Sequence, residues 1–419
     1  MHKKNSHLKR TALVSALLIE LTTAAQAANI AVDGTTCTLA DAITAANTDA
    51  VAGGCTAGAG DDVLDLDIAG SPFTQTAAMP NLTSNITING NGSIIERDAG
   101  APEFPLIYIA GGSNAIINEA TITGGSISPN NFGGGVVVRP GGSVQINDSI
   151  ISGNNGGAVW LYNAAASSIN NSVIENNTAN PGQYYNGGVS INGGYLDINN
   201  STITGNDNVA VAAGGGGLYV TDYSASVTVG VSNSTISNNS AVVDGGGIAS
   251  IGFGNGIELN LNSVTVTQNS SQANGGGMAN TGTDIAVSQS LLSGNTAVTA
   301  NTWTAGGGSY VTVDAYNIFG ESSASGLTGV TPGATDIVPT EDANGILEAN
   351  LADNGGPTPT HALVPNGPAV DVIPGVSCLF STDQTGKARP IDADGDGNAD
   401  CDVGAYESLD IIFKNGFDG

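Results

Sequence analysis

Ile198-Asn-Asn-Ser-Thr-Ile203 and Val231-Ser-Asn-Ser-Thr-Ile236 are the stretches that decide the fold. The same six-residue pattern stands earlier at Ile117-Asn-Glu-Ala-Thr-Ile122, Ile146-Asn-Asp-Ser-Ile-Ile151 and Ile169-Asn-Asn-Ser-Val-Ile174, and it continues at 261–266 and 287–292. Three residues beyond the last apolar position of every unit after the first comes an asparagine: Asn154, Asn177, Asn206, Asn239, Asn269 and Asn295, at intervals of 23, 29, 33, 30 and 26 residues. Periods of this size signal a solenoid, and their variability places the extra residues in loops at a corner. β-Branched residues in short runs between Gly, Asn and Ser read as strands, and no window of the repeats carries the 3.6 spacing of a long helix.

A second column supports the same reading. Gly-Gly followed by an apolar residue recurs at Gly134-Gly135-Val136, Gly187-Gly188-Val189, Gly216-Gly217-Leu218, Gly246-Gly247-Ile248 and Gly276-Gly277-Met278, with Gly157-Ala158-Val159 and Gly307-Gly308-Ser309 as imperfect members. Glycine gives a bend without a Cβ penalty, and the strand after it alternates inward and outward. The expected fold is all-β: a right-handed parallel β-helix with Ile columns inside and Asn columns at the bends, rungs about 4.8 Å apart. The expected domains are a leader at 1–27, an N-terminal cap at 28–80, repeats at 81–325, a loop-rich C-terminal capping module at 326–408 and a tail at 409–419.

The leader reads from Lys3, Lys4, Lys9 and Arg10, an apolar run from Leu13 to Leu21, and Ala25-Gln26-Ala27, which match the three regions of a secretory signal cleaved after Ala27. The run is too short to span a bilayer, and no other stretch qualifies. The whole chain of 419 residues has a net charge of −28, and removal of the leader leaves five cations against 36 acids. Such a chain has no basic surface to neutralise phosphates, which excludes nucleic acid as a partner. Four cysteines remain, and the two short loops are the cheapest to close in an oxidising compartment, so Cys37–Cys55 and Cys378–Cys401 are the expected disulfides.

The Ser-Thr-Ile-x-x-Asn and Gly-Gly-Gly-Ile units resemble the repeats of polymorphic outer-membrane-protein and pectate-lyase-like β-helices. Cys37-Thr-Leu-Ala-Asp-Ala-Ile43-x-Ala-Ala-Asn47 resembles the N-terminal motif of bacterial CSLREA-domain surface proteins, with Ala40 and Asp41 in place of its Arg-Glu pair. Asn354-Gly-Gly-Pro-Thr-x-Thr-His361, Thr382-Asp-Gln384, Arg389-Pro390 and Cys401-Asp-Val-Gly-Ala-Tyr-Glu407 resemble the choice-of-anchor Q domain. These resemblances imply a secreted or cell-surface β-helical protein of bacteria, usually without a defined activity.

Chemistry is sparse. Asp392-x-Asp394-x-Asp396-Gly397-x-x-Asp400 has the spacing of the first half of a calcium loop, with Asp402 available to complete the shell because position twelve is Val403. Ca²⁺ is therefore the expected ion. Pectate-lyase-like enzymes need an Arg base near calcium-binding carboxylates, and polygalacturonase-like enzymes an Asp cluster with a His. The chain after the leader has one His, His361, and neither set. Glu119 and Asp148, one rung apart at a turn column, are the only stacked acids, and no Ser-His-Asp triad can be built on His361. Strand parity turns Trp160 and Tyr162 outward, with Arg139, Tyr219 and Tyr310 outside on other rungs, a surface suited to stacking on sugars. The expected function is adhesion or glycan binding at an extracellular glycan or cell-surface component, without catalysis. A polysaccharide lyase or glycoside hydrolase, and a purely structural envelope component, are the alternatives.

Overall fold

The computed structural model describes residues 27–127, 133–179, 187–210 and 214–409; the leader through residue 26 and the tail from residue 410 lie outside that range. One rung illustrates how the sequence makes the rest. Strand Val227–Ser232 points Val227, Val229 and Val231 into the interior. Asn233 then takes a left-handed conformation (φ 44°), which turns the chain into strand Thr235–Ser237. Left-handed Asn238 (φ 57°) makes the second turn, after which come the two-residue strand Ser240–Ala241 and, past the glycines, strand Ile248–Ile251. The first turn position recurs in register as Glu119, Asp148, Asn171, Asn200, Asn233, Ser263 and Gln289, all with φ between 44° and 53°. Short polar side chains tolerate this region best, which explains the run of Asn and Asp there.

Successive rungs pair in parallel, and the apolar column emerges as the sequence predicts. Ile117, Ile146, Ile169, Ile198, Val231, Leu261 and Val287 are each the Cα partner of the next. All are buried in one continuous core. Among the described residues the strands form three sheets: a broad one of 18 strands, a ten-stranded one along the short strands between the two turns, and a four-stranded one of two-residue strands. The long strands Val159–Asn170 and Val189–Asn199 join two rows of the broad sheet into a single bent surface.

Two asparagine ladders run along this coil. In the inner one, Asn154 Nδ2 donates to Asn177 Oδ1, Asn177 to Asn206, Asn206 to Asn239, Asn239 to Asn269 and Asn269 to Asn295, at 2.9–3.0 Å. All six are buried. The outer ladder runs the other way, with Asn118 donating to Asn89, Asn147 to Asn118, Asn170 to Asn147 and Asn199 to Asn170. The glycine pairs beside the inner ladder are explained by proximity rather than by a bend. A Cβ on Gly247 would lie 2.6 Å from Gly277 O and 2.9 Å from Asn269 Nδ2, whereas the left-handed residue is the glycine before the pair, Gly245 (φ 69°).

The N-terminal end is closed by a ten-residue helix, Leu39–Thr48, within the stretch that the sequence marks only as a cap. Thr38 caps it, its Oγ1 accepting from Asp41 N, while Leu39, Ala42, Ile43, Ala45 and Ala46 enter the core. Both expected disulfides are present, Cys37–Cys55 and Cys378–Cys401.

At the other end the segment around Ile337 covers the last rung, with Phe319 N donating to Ile337 O and Asp336 accepting from Asn317 Nδ2. The chain then turns back along the flank of the ten-stranded sheet. Thr358 Oγ1 donates to Asn200 O, Thr202 Oγ1 to Pro359 O, Asn233 Nδ2 to Thr382 O, and Thr235 Oγ1 to Gln384 Oε1. Ala405 N donates to Thr265 Oγ1, and Gln289 Nε2 to Ser377 O. This returning arm has its own apolar cluster of Ile346, Leu347, Leu363, Val370, Ile373 and Val403, packed against Leu291 and Ile318 of the coil.

Candidate functional site

Near the N-terminal rungs the outward face of the broad sheet is hollowed into a cleft of about 410 Å³. Phe104, Tyr108, Val137, Trp160 and Arg139 line it together with Met79, Ile127 and the exposed Glu103. Strand register brings these residues together: Tyr108, Val137 and Trp160 are partners on three successive rungs. Trp160 and Tyr162, two apart on one strand, stack with rings 5.4 Å apart and 7° from parallel. The Arg139 guanidinium stands 5.5 Å from the centre of each ring. A cation so placed gains from the ring quadrupoles, which also fix the orientation of its planar group.

The parity expected for these side chains holds, but exposure does not. Trp160 is only 3% and Tyr219 6% exposed, so neither is an open stacking platform. Alternation along a strand fixes the side a residue faces and not what lies over that side. Tyr219 packs with Ala249 and Ile251 in a small cluster of its own outside the core. Tyr310 is 78% exposed, yet it belongs to the other row of the broad sheet, where its partner is Asp284. The Gly307-Gly308 pair misleads here, because the strand in line with Met278 is Trp303–Ala305. Trp303, unflagged in the sequence, is a core residue packed on Phe319, its Nε1 donating to Asn280 Oδ1. Also unforeseen are Tyr223 and Phe253, 70% and 59% exposed on adjacent corner loops, in an edge-to-face pair 5.3 Å apart.

The acidic loop assembles only in part. Asp371, Asp392 and Asp394 bring one carboxylate oxygen each within 4.8 Å of the others. Asp371 is the member that sequence spacing missed, since it lies outside the Asp-x-Asp run. Its Oδ1 is buried without a hydrogen-bond partner among the described residues, and burial, with Asp402 and Asp394 adding to it, pushes its carboxyl up to about 6. Asp396, Asp400 and Asp402 are not of this group. Asp396 accepts from Asn398 N, Asp400 from Gly375 N, and Asp402 is buried and accepts from Asp371 N and Ser408 N. An unpaired buried oxygen beside two further carboxylates fits a hard divalent cation.

Catalytic candidates fare worse. Glu119 and Asp148 are exposed left-handed turn residues, and Asn171 donates to Asp148 Oδ1. His361 is buried, its Nδ1 on Glu348 O at 2.9 Å, and burial lowers its pKa. Deeper in the arm, Arg389 Nε stands 3.3 Å from Glu407 Oε2, both fully enclosed. Burial above all, with Asp402 adding to it, pushes Glu407 up to about 8, because two buried acids share this one cation.

The model of the family described as right handed beta helix region matches residues 81–297, just over half of the chain. No curated protein and no solved structure matches the chain. No helix among the described residues is long and apolar enough to cross a membrane.

Proposed function

Because the chain belongs to the right-handed β-helix family, we propose that it is an exported or surface-held binding protein that takes an extracellular glycan in the Arg139–Trp160 cleft without turning it over. The observation that carries this reading is the conjunction, in one cavity of about 410 Å³, of three aromatic residues, a ring-stacked guanidinium and a carboxylate. Sugars offer apolar C–H faces to rings and hydroxyls to charged groups, and a mostly apolar pocket with a few convergent polar groups is the usual form of a small-ligand site. Export is supported by the leader pattern and by two disulfides. Titration of immobilised glycans with the wild type, Arg139→Ala and Tyr108→Ala tests it. We expect binding lost in both variants with unchanged melting; retained binding in both, or glycan cleavage by the wild type, overturns the reading.

The same reading assigns Ca²⁺ to Asp371, Asp392 and Asp394, where it tightens the loop that Cys401 ties to Cys378. Bound there, the ion would supply charge compensation to the three carboxylates.

A further inference from the structure

We propose that Asp62 is the built-in counter-charge for an α-ammonium group on Ala28, created when the leader is removed between Ala27 and Ala28. This rests on the export reading above and goes beyond it by giving the cleaved end a seat in the fold.

Asp62 opens strand Asp62–Leu66 and is 1% exposed. Its Oδ1 accepts from Ala28 N at 3.1 Å and from Ala59 N at 2.7 Å. Its Oδ2 is buried and has no hydrogen-bond partner among the described residues. The carboxylate is tightly enclosed: a Cβ on Gly58 would come within 2.4 Å of Oδ2 and 2.7 Å of Ala45 O in the cap helix. The one ion pair among the described residues is that of Arg389 with Glu407, so Asp62 meets no cation there. A buried carboxylate with half of its acceptors unused is costly, and chains keep such groups when something charged comes to meet them.

Ala28 is where that charge arises. Its carbonyl accepts from Val63 N at 2.9 Å, so the parallel ladder holds it in register beside Asp62. Ala27, one residue earlier, is exposed. Hydrolysis by a leader-removing protease adds water across the 27–28 peptide bond. The hydroxyl stays on the Ala27 carbonyl carbon, and the nitrogen of Ala28 leaves as an amine that takes a proton. The single amide N–H that Ala28 offers Asp62 is then replaced by an ammonium with three donors, enough for Oδ1 and the unpaired Oδ2 together. The ionisable groups on the elements packed around this strand, Asp33, Asp41, Asp49, Asp61 and Asp65, are all acids.

Two measurements test this. The first is a cycle of melting temperatures in the chain starting at Ala28 and in the uncleaved chain, each with and without Asp62→Asn, which keeps the shape and one acceptor oxygen and removes the charge. We expect the substitution to lower melting more in the Ala28 chain than in the uncleaved one; equal losses overturn the proposal. The second needs no variant: acylation of the native Ala28 chain at pH 7.5, located by mass spectrometry. A free α-amine has a pKa of about 8 and reacts readily, so a paired one should be protected in the folded protein and released in urea. Equal reaction in both states overturns the proposal. N-terminal sequencing of exported protein separates the two readings, since a start other than Ala28 ends the processing site whatever the cycle shows.

Discussion

Removal of one amide from the inner ladder should cost far more than removal of one from the outer ladder. Asn239 is fully buried, and its side chain serves four partners. Its Oδ1 accepts from Asn206 N and Asn206 Nδ2, both at 3.0 Å, and its Nδ2 donates to Ile203 O and Asn269 Oδ1, both at 2.9 Å. Asn239→Ala removes four hydrogen bonds from a dry interior; Asn206 Nδ2 keeps Ile174 O and Asn269 Oδ1 keeps the backbone N of residue 239, while Asn206 N loses its Asn239 Oδ1 acceptor. With each buried hydrogen bond contributing roughly 1 kcal/mol, the four lost bonds sum to about 4 kcal/mol. Asn170 makes three side-chain hydrogen bonds, to Asn147, Ser168 and Asn199, but is half-buried, so water replaces what Asn170→Ala removes and the loss stays below about 1 kcal/mol. Urea unfolding followed by circular dichroism measures both. Equal losses, or a loss below about 1 kcal/mol for Asn239→Ala, would show that the ladder amides do not hold the rungs as argued.

Gly247→Ala should destabilise by about 1–3 kcal/mol through overpacking against Gly277 O and Asn269 Nδ2, whereas Gly254→Ala, which meets nothing within 4 Å but sits at φ 103°, should lose its stability through backbone strain alone; the crystal structures of the two variants separate these causes. Glu407 has a folded pKa near 8 against an ordinary 4.5, so between those values the native state holds a proton that the unfolded chain releases, and stability should fall as pH rises, by up to about 1.4 kcal/mol per pH unit. Urea midpoints from pH 5 to 8 should show that slope flattened in Glu407→Gln; an unchanged slope refutes the assignment. Millimolar Ca²⁺ should raise the melting temperature of the wild type and not of Asp392→Ala, while Asp396→Ala keeps the gain. An equal gain in all three would point to general screening.

What could be read in advance and what could not divide along a physical line. The Ile column, the Asn ladder and the glycine pairs repeat once per rung, and stacking turns a sequence period directly into contact. Disulfides across short loops follow from loop entropy. Strand parity puts Trp160 on the correct side but says nothing of its cover, since cover comes from other rungs and loops with no period. The Trp303 strand carries no glycine pair before it, and the pair Gly307-Gly308 beyond it points to Tyr310 instead. Tyr223 and Phe253 sit on corner loops whose lengths vary, where no column exists to read. The helix Leu39–Thr48 did carry a signal, Thr38 three residues before Asp41 with apolar residues at Leu39, Ala42, Ile43 and Ala46, but it is only ten residues long. Asp371 joins Asp392 and Asp394 from 21 residues away, beyond the reach of any local motif.

The returning arm also sets an order in time. A ribosome delivers the coil first and residues 358–405 last, so Thr202, Thr235 and Thr265 face water for as long as it takes to make some 150 further residues. Bare rows of Val or Leu would invite other chains during that interval. Threonine has the same branched shape for a strand, yet carries a hydroxyl that water satisfies until Pro359, Gln384 and Ala405 arrive to take its place. The flank is thus composed for two successive environments, and its hydroxyls are the trace of the earlier one.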